Sequence, residues 1–246
     1  MKKKILSLCV VLALAVTAII GGTLAYFSDT DAQTNTFTTG NVEIDLWEDF
    51  GANTGSEELI PAVDETVDSI EKEIYVTNTG SEDAYVRVHI AIPSILEETS
   101  SFDAADGVLH FDFANAEEAK WDWSDAADDD DYTTKSNTYK TTIDNVEYNV
   151  YVVTYTKALA TDADTEDAIS KVWMDAETTN EDITALKAAL GDNWYIYVAA
   201  EGTQAAGFAD AYEALNTAFG DPADAAYTAT VDWDEVAHDQ TFVNKD

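Results

Sequence analysis

The 246-residue chain has one cysteine, three prolines, three histidines and two methionines, and its basic residues number 12 against 49 acidic ones. Each shortage excludes something. The one cysteine, Cys9, lies near the start of an apolar run, where a lipoprotein cysteine would follow it, so disulfides and lipidation are not expected. The prolines (Pro61, Pro93, Pro222) are scattered and mark no linker. His89, His110 and His238 form no His-Glu-x-x-His pair and no i,i+4 pair, so no helical zinc site is visible. Nor is there a Gly-x-Ser-x-Gly turn, a Walker loop or a Rossmann glycine pattern, and an enzyme is not expected. The formal charge of −37 excludes nucleic-acid binding, which needs a basic surface.

What is present begins at Met1. Three lysines precede the apolar run Ile5 to Ile20, then Gly21-Gly22 and the small residues Thr23 and Ala25. This is the order of a secretory signal peptide, residues 1–25, with Thr23 and Ala25 at −3 and −1 of a cut after Ala25. An uncleaved anchor is the competing reading, since Ile5 to Phe27 carries no charge. Against it, the glycine pair interrupts the run and no basic cluster follows. Contact with a membrane is then expected only during export, and a secreted, extracellular location thereafter. Loss of Lys2, Lys3 and Lys4 takes the formal charge from −37 to −40.

The rest, residues 26–246, reads as a single domain. Val42, Ile44 and Leu46 alternate with polar residues, as do Ile70, Lys72, Ile74 and Val76. In Ala84 to Ile92, Val86, Val88, Ile90 and Ile92 point one way, and Tyr85, Arg87, His89 and Ala91 the other. Asn78-Thr79-Gly80-Ser81 has the composition of a turn and predicts a hairpin between its flanking strands. Asp144-Asn145 predicts a second hairpin whose later arm, Tyr148 to Tyr155, is apolar on both faces and therefore central. Asn180 to Leu190, with Asn180 as its cap, and Phe208 to Phe219 read as helices stopped by Gly191 and Gly220. Tyr227 to Trp233 reads as a last short strand. The expected fold is mainly β, an antiparallel β-sandwich with two short helical insertions.

Gly21-Gly22-Thr23-Leu24-Ala25-Tyr26-Phe27-Ser28-Asp29, then Asn35-Thr36-Phe37 and Gly40-Asn41-Val42-Glu43-Ile44-Asp45-Leu46, resembles the TasA/camelysin family. The resemblance is specific over about the first 46 residues. It implies a jelly-roll-like sandwich, processing by the signal peptidase SipW with the cut after Tyr26, and a subunit of biofilm matrix fibres. It also implies partners: copies of the same chain and other matrix components. Camelysin has been described as a metalloprotease, an activity for which no familiar zinc motif stands in this chain.

For assembly, the segment 34–47 is the candidate donor strand, with Phe37, Val42, Ile44 and Leu46 as anchors and Gly40 permitting a bend. The competing expectation pairs it within its own domain. A binding module is the alternative function, holding a carbohydrate or surface polymer on Trp121, Trp123, Tyr132 and Tyr139. No cofactor is expected. Asp128 to Asp131, Asp162-x-Asp164-x-Glu166-Asp167 and Asp29-x-Asp31 offer oxygen ligands without the glycine and glutamate of an EF-hand loop, so calcium is expected to bind weakly if at all.

Overall fold

The computed structural model describes residues 28–31, 41–49, 61, 69–96, 108–112, 120–122, 138–191 and 194–238. Strand signals dominate the sequence and the structure follows them. The elements are β1 (Ser28–Asp31), β2 (Ile44–Asp49), β3 (Ile70–Glu71), β4 (Glu73–Asn78), β5 (Ala84–Pro93), β6 (Leu109–Asp112), β7 (Trp121–Asp122), β8 (Thr138–Ile143), β9 (Val146–Tyr155), β10 (Lys171–Met174) and β11 (Tyr197–Gln204). Among the described residues three α-helices accompany them, α1 (Asn180–Leu190), α2 (Ala211–Phe219) and α3 (Trp233–His238), with a short 3-10 turn at Ser94–Leu96.

One layer is a six-stranded antiparallel sheet in the order β1-β11-β5-β9, with β8 and β7 sharing the outer side of β9. The facing layer holds the pair β2-β4 and the three-stranded sheet β3-β10-β6. β3 and β4 behave as one strand: Ile70, Lys72, Ile74 and Val76 keep the parity expected from sequence, and Lys72, Ile74 and Val76 are buried. The chain from Ala163 to Ser170 tracks this strand, with Asn78 N donating to Ala163 O (3.0 Å), Ala168 N to Ile74 O (2.7 Å) and Lys72 N to Ser170 O (3.0 Å). Between the layers Val86, Val88, Ile90 and Ile92 meet Ile44, Ile74, Val76, Val153, Val198 and Ala200 in the main core.

The turn at Asn78–Ser81 does not make the expected hairpin: β4 pairs with β2, whereas β5 pairs with β11 and β9. It is an arch that carries the chain from one layer to the other. Asn78 spans it, its Nδ2 donating to Glu82 O (2.9 Å) and Leu159 O (2.8 Å), and its flanking strands turn their apolar parities toward the same core. The second expected hairpin is present, β8 to β9, with Asp144 (φ 49°) and Asn145 (φ 67°) both in the left-handed region that a tight two-residue turn requires. β9 is central and buried from Val150 to Tyr155.

The helices differ from expectation in detail. α1 is capped by Thr179, whose side chain accepts from Asp182 N while the Asp182 carboxylate accepts from Thr179 N. α2 begins at Ala211, capped by Asp210. Where a last strand was expected at Tyr227 to Trp233, residues 227–232 are irregular and α3 follows. Asp232 starts it, its Oδ1 accepting from Asp234 N (3.2 Å) and Glu235 N (3.3 Å).

Candidate functional site

The N-terminal segment is built into both layers. β1 runs antiparallel to β11, Ser28 opposite Thr203 and Asp31 opposite Ala200, at the edge of the six-stranded sheet. Farther on, the arch grips the chain: Thr79 N (2.9 Å) and Gly80 N (3.0 Å) donate to Glu43 O, and Ser81 N to Asn41 O (2.9 Å). Gly80 permits this approach, since a Cβ there would stand 2.4 Å from Asn41 O. β2 then pairs with β4, Ile44 opposite Asn78 and Leu46 opposite Val76. Ile44 is 1% exposed and lies on Gly202 of β11, where an added Cβ would meet its Cδ1 and Cγ2 at 3.0 Å.

Of the residues expected to serve processing and assembly, Thr23, Ala25, Tyr26, Phe37 and Gly40 lie outside the described residues. Val42 and Ile44 are buried and Leu46 packs against the same core, so these three anchors occupy seats within the chain's own domain. The aromatic surface expected of a binding module is not open where it is described. Trp121 is buried, donating Nε1–H to Glu166 O (2.6 Å) and meeting Tyr155 edge to face. Tyr139 is half-buried and hydrogen-bonded inside the protein; Trp123 and Tyr132 lie outside the described residues.

Of the expected calcium ligands on 162–167, Asp164 and Glu166 are engaged with protein. Asp164 Oδ1 accepts from Thr77 Oγ1 (2.6 Å), and Glu166 takes Lys120 Nζ and the Tyr155 hydroxyl. Asp167 is pushed up to about 6, first by burial and then by Glu73, Glu166 and Glu71. Asp128 to Asp131 and the side chains of Asp29 and Asp31 lie outside the described residues. Among the described residues no group of three or more His, Cys, Asp or Glu could hold a metal ion. His110 Nε2 contacts Asp175 Oδ2 (2.9 Å), and its ring stacks on Trp173.

A second cluster escaped the sequence reading. The polar parity of β5 is buried, with Arg87 1% and His89 0% exposed, beneath the chain from Ala205 to α3. Opposite Arg87 on β11 stands Glu201, also 0% exposed. Arg87 Nε donates to Glu201 Oε2 (2.6 Å), its Nη1 to Gly220 O (3.1 Å) and Asn216 Oδ1 (3.4 Å), and its plane lies 5.6 Å from the Phe219 ring. The Thr230 hydroxyl donates to Glu201 Oε1. His89 Nε2 is 3.1 Å from Glu201 Oε2 but poorly aligned for a hydrogen bond. Its Nδ1 is 3.2 Å from the Tyr139 hydroxyl, which accepts Nε1–H of Trp233 (3.1 Å). Burial works against the Glu201 charge, yet His89, Arg87 and Thr230 together hold its carboxyl well below the usual range. Burial holds the His89 imidazole below its usual 6.5, with Glu201 opposing and Arg87 reinforcing the shift. The signal in the sequence was an Arg and a His within one apolar strand and a lone Glu within another.

A family model described as camelysin metallo-endopeptidase matches residues 1–194, a stretch that ends before β11. No curated protein and no solved structure matches the chain.

Proposed function

The chain belongs to the TasA/camelysin family, and from that premise we propose that it is a secreted structural subunit of an extracellular matrix, assembling by exchange of its N-terminal segment between copies. One observation carries this reading: the segment that resembles the family's N-terminus supplies an edge strand to one layer and, through Val42 and Ile44, core side chains to the other. A segment seated in this way fits a neighbour of the same sequence equally well, because exchange between identical copies replaces each contact with its duplicate. The partners are further copies and other matrix components, with no resident cofactor and only weak condensation of calcium on the acidic surface.

The test is light scattering with electron microscopy on the exported chain and on a version lacking residues 26–40, at pH 7 and 4.5, with and without calcium. Fibres from the first and none from the second support exchange. A monodisperse monomer from the first under every condition removes it. The family description favours a second reading, a metal-dependent protease; chelator-sensitive cleavage of casein by the purified chain is its signature.

A further inference from the structure

We infer that residues 205–238 form a detachable cover over the polar face of the six-stranded sheet, latched by the buried Arg87–Glu201 pair and released when His89 takes up a proton. The cover is attached by two small apolar contacts with a polar seam between them, and the Tyr212 hydroxyl of α2 also donates to the Asp122 carboxylate of β7. At one end Ala211, Leu215 and Phe219 of α2 meet Tyr85 of β5. At the other Val231, Trp233 and Val236 meet Ala91, Tyr148, Val150, Tyr197 and Ala199. Along the seam the cover's own groups, Asn216, Gly220, Tyr227, Thr230 and Trp233, bind Arg87, Glu201 and Tyr139.

The groups that face His89 fix its charge state. Arg87 on β5 and Glu201 on β11 already neutralise each other, and both side chains are sealed from water. A proton on the imidazole would therefore add an uncompensated charge in a dry site, and the imidazolium would compete with Arg87 for the same oxygen, Glu201 Oε2. It would also invert the seam. Because Nε2 faces the Glu201 carboxylate, the neutral ring keeps its hydrogen there, so Nδ1 accepts from the Tyr139 hydroxyl, which in turn accepts from Trp233. With Nδ1 protonated, both neighbours donate into the Tyr139 oxygen and its own hydrogen loses its acceptor. Glu201 is held below the usual carboxylate range, while burial raises Tyr139 and takes Tyr227 up to about 12, so of the cluster only the His89 imidazole has an ordinary value, 6.5, near neutrality, and the cover holds it below that.

The sign follows from linkage. The imidazole binds its proton more weakly under the cover than in water. The closed state is therefore fully favoured above the free value of about 6.5 and loses ground as pH falls below it, the opening constant rising up to about tenfold per pH unit.

Amide hydrogen exchange on the exported chain at pH 7 and 5.5, corrected for intrinsic rates, reads the opening. Protection in 211–219 and 233–238 is expected to fall severalfold at the lower pH while 150–155 keeps its protection. His89→Gln is expected to remove this pH dependence. Unchanged protection in the wild type, or an undiminished pH effect in His89→Gln, overturns the inference. If that variant does not fold, NMR titration of His89 in the wild type decides: a midpoint below 6.5 supports the latch, and one at or above 6.5 overturns it.

Discussion

The seat of Ile44 on Gly202 sets up a quantitative test of how the N-terminal segment joins the two layers. Gly202→Ala places a methyl 3.0 Å from Ile44 Cδ1 and Cγ2, inside ordinary van der Waals contact. Ile44 is β-branched and 1% exposed, so it has little room to turn away, and overpacking of this kind costs about 1–3 kcal/mol. Ile44→Ala alone leaves a hole between β2 and β11 and costs about 2–5 kcal/mol. In the double variant the new methyl at 202 enters the space that Ile44 vacated, so the clash disappears and part of the cavity is filled. The pair should therefore be less harmful than the separate costs combined, by about 1–2 kcal/mol of coupling. Urea unfolding of the four proteins, followed by tryptophan fluorescence at a common slope, measures the cycle. Additive costs would show that Ile44 does not rest on Gly202 and would remove this contact between β2 and β11.

Other consequences are open to measurement. Glu201→Gln leaves Arg87 buried without its counter-ion and should lower unfolding stability by about 3–5 kcal/mol in a urea titration at pH 7. Asp167 binds its proton more tightly in the folded state, with a carboxyl near 6, so its contribution to stability grows as pH falls from above 6 toward 3.8. Asp167→Asn should accordingly raise the melting temperature at pH 7 and have little effect at pH 4, a contrast that differential scanning calorimetry reads directly. Thr179→Ala removes the hydroxyl that caps Asp182 N and bonds the Asp182 carboxylate, leaving only the backbone half of the capping box; it should weaken α1 by about 0.5–2 kcal/mol, visible as faster amide exchange confined to 180–190.

The strands were legible wherever one face was apolar and its partner face polar, as in Val86 to Ile92, or where both faces were apolar, as in Val150 to Tyr155. Local chemistry also gave the Asp144–Asn145 turn and the stops at Gly191 and Gly220, whose φ values of 83° and 89° suit glycine. Pairing was less legible than strand identity. Nothing around Asn78 tells a hairpin from an arch, because the distinction depends on Asn41–Glu43 and Leu159, which bind the turn from far along the chain. Tyr227 to Trp233 alternates like a strand, yet Asp232 caps a helix at its end, and the tyrosine and valine are held by contacts to the sheet rather than by a ladder. The buried cluster was hidden for the same reason. Arg87 and Glu201 are 114 residues apart, and a strand face bearing Arg and His looks solvated until the cover that dries it is known.

Self-pairing of the N-terminal segment is compatible with the exchange between copies proposed above, and under that proposal charge would decide which one prevails. Swapping β1 and β2 into a neighbour conserves their hydrogen bonds and the burial of Ile44, so the free-energy difference between monomer and assembly is left to chain entropy and to repulsion between copies. At −37 over the full chain, or −40 once the three leading lysines are removed, repulsion is the larger opponent at low salt. It acts across exposed surface and fades as the Debye length shrinks from about 10 Å at 0.1 M salt to about 3 Å at 1 M. Assembly onset, followed by light scattering, should therefore move to lower protein concentration with added sodium chloride and more strongly with calcium at equal ionic strength. Core substitutions such as Ile44→Ala remove the same contact from monomer and fibre alike and should shift the onset far less. An onset that ignores salt but collapses on Ile44→Ala would mean that the segment makes contacts in the assembly that it lacks in the monomer, and simple exchange would be the wrong mechanism.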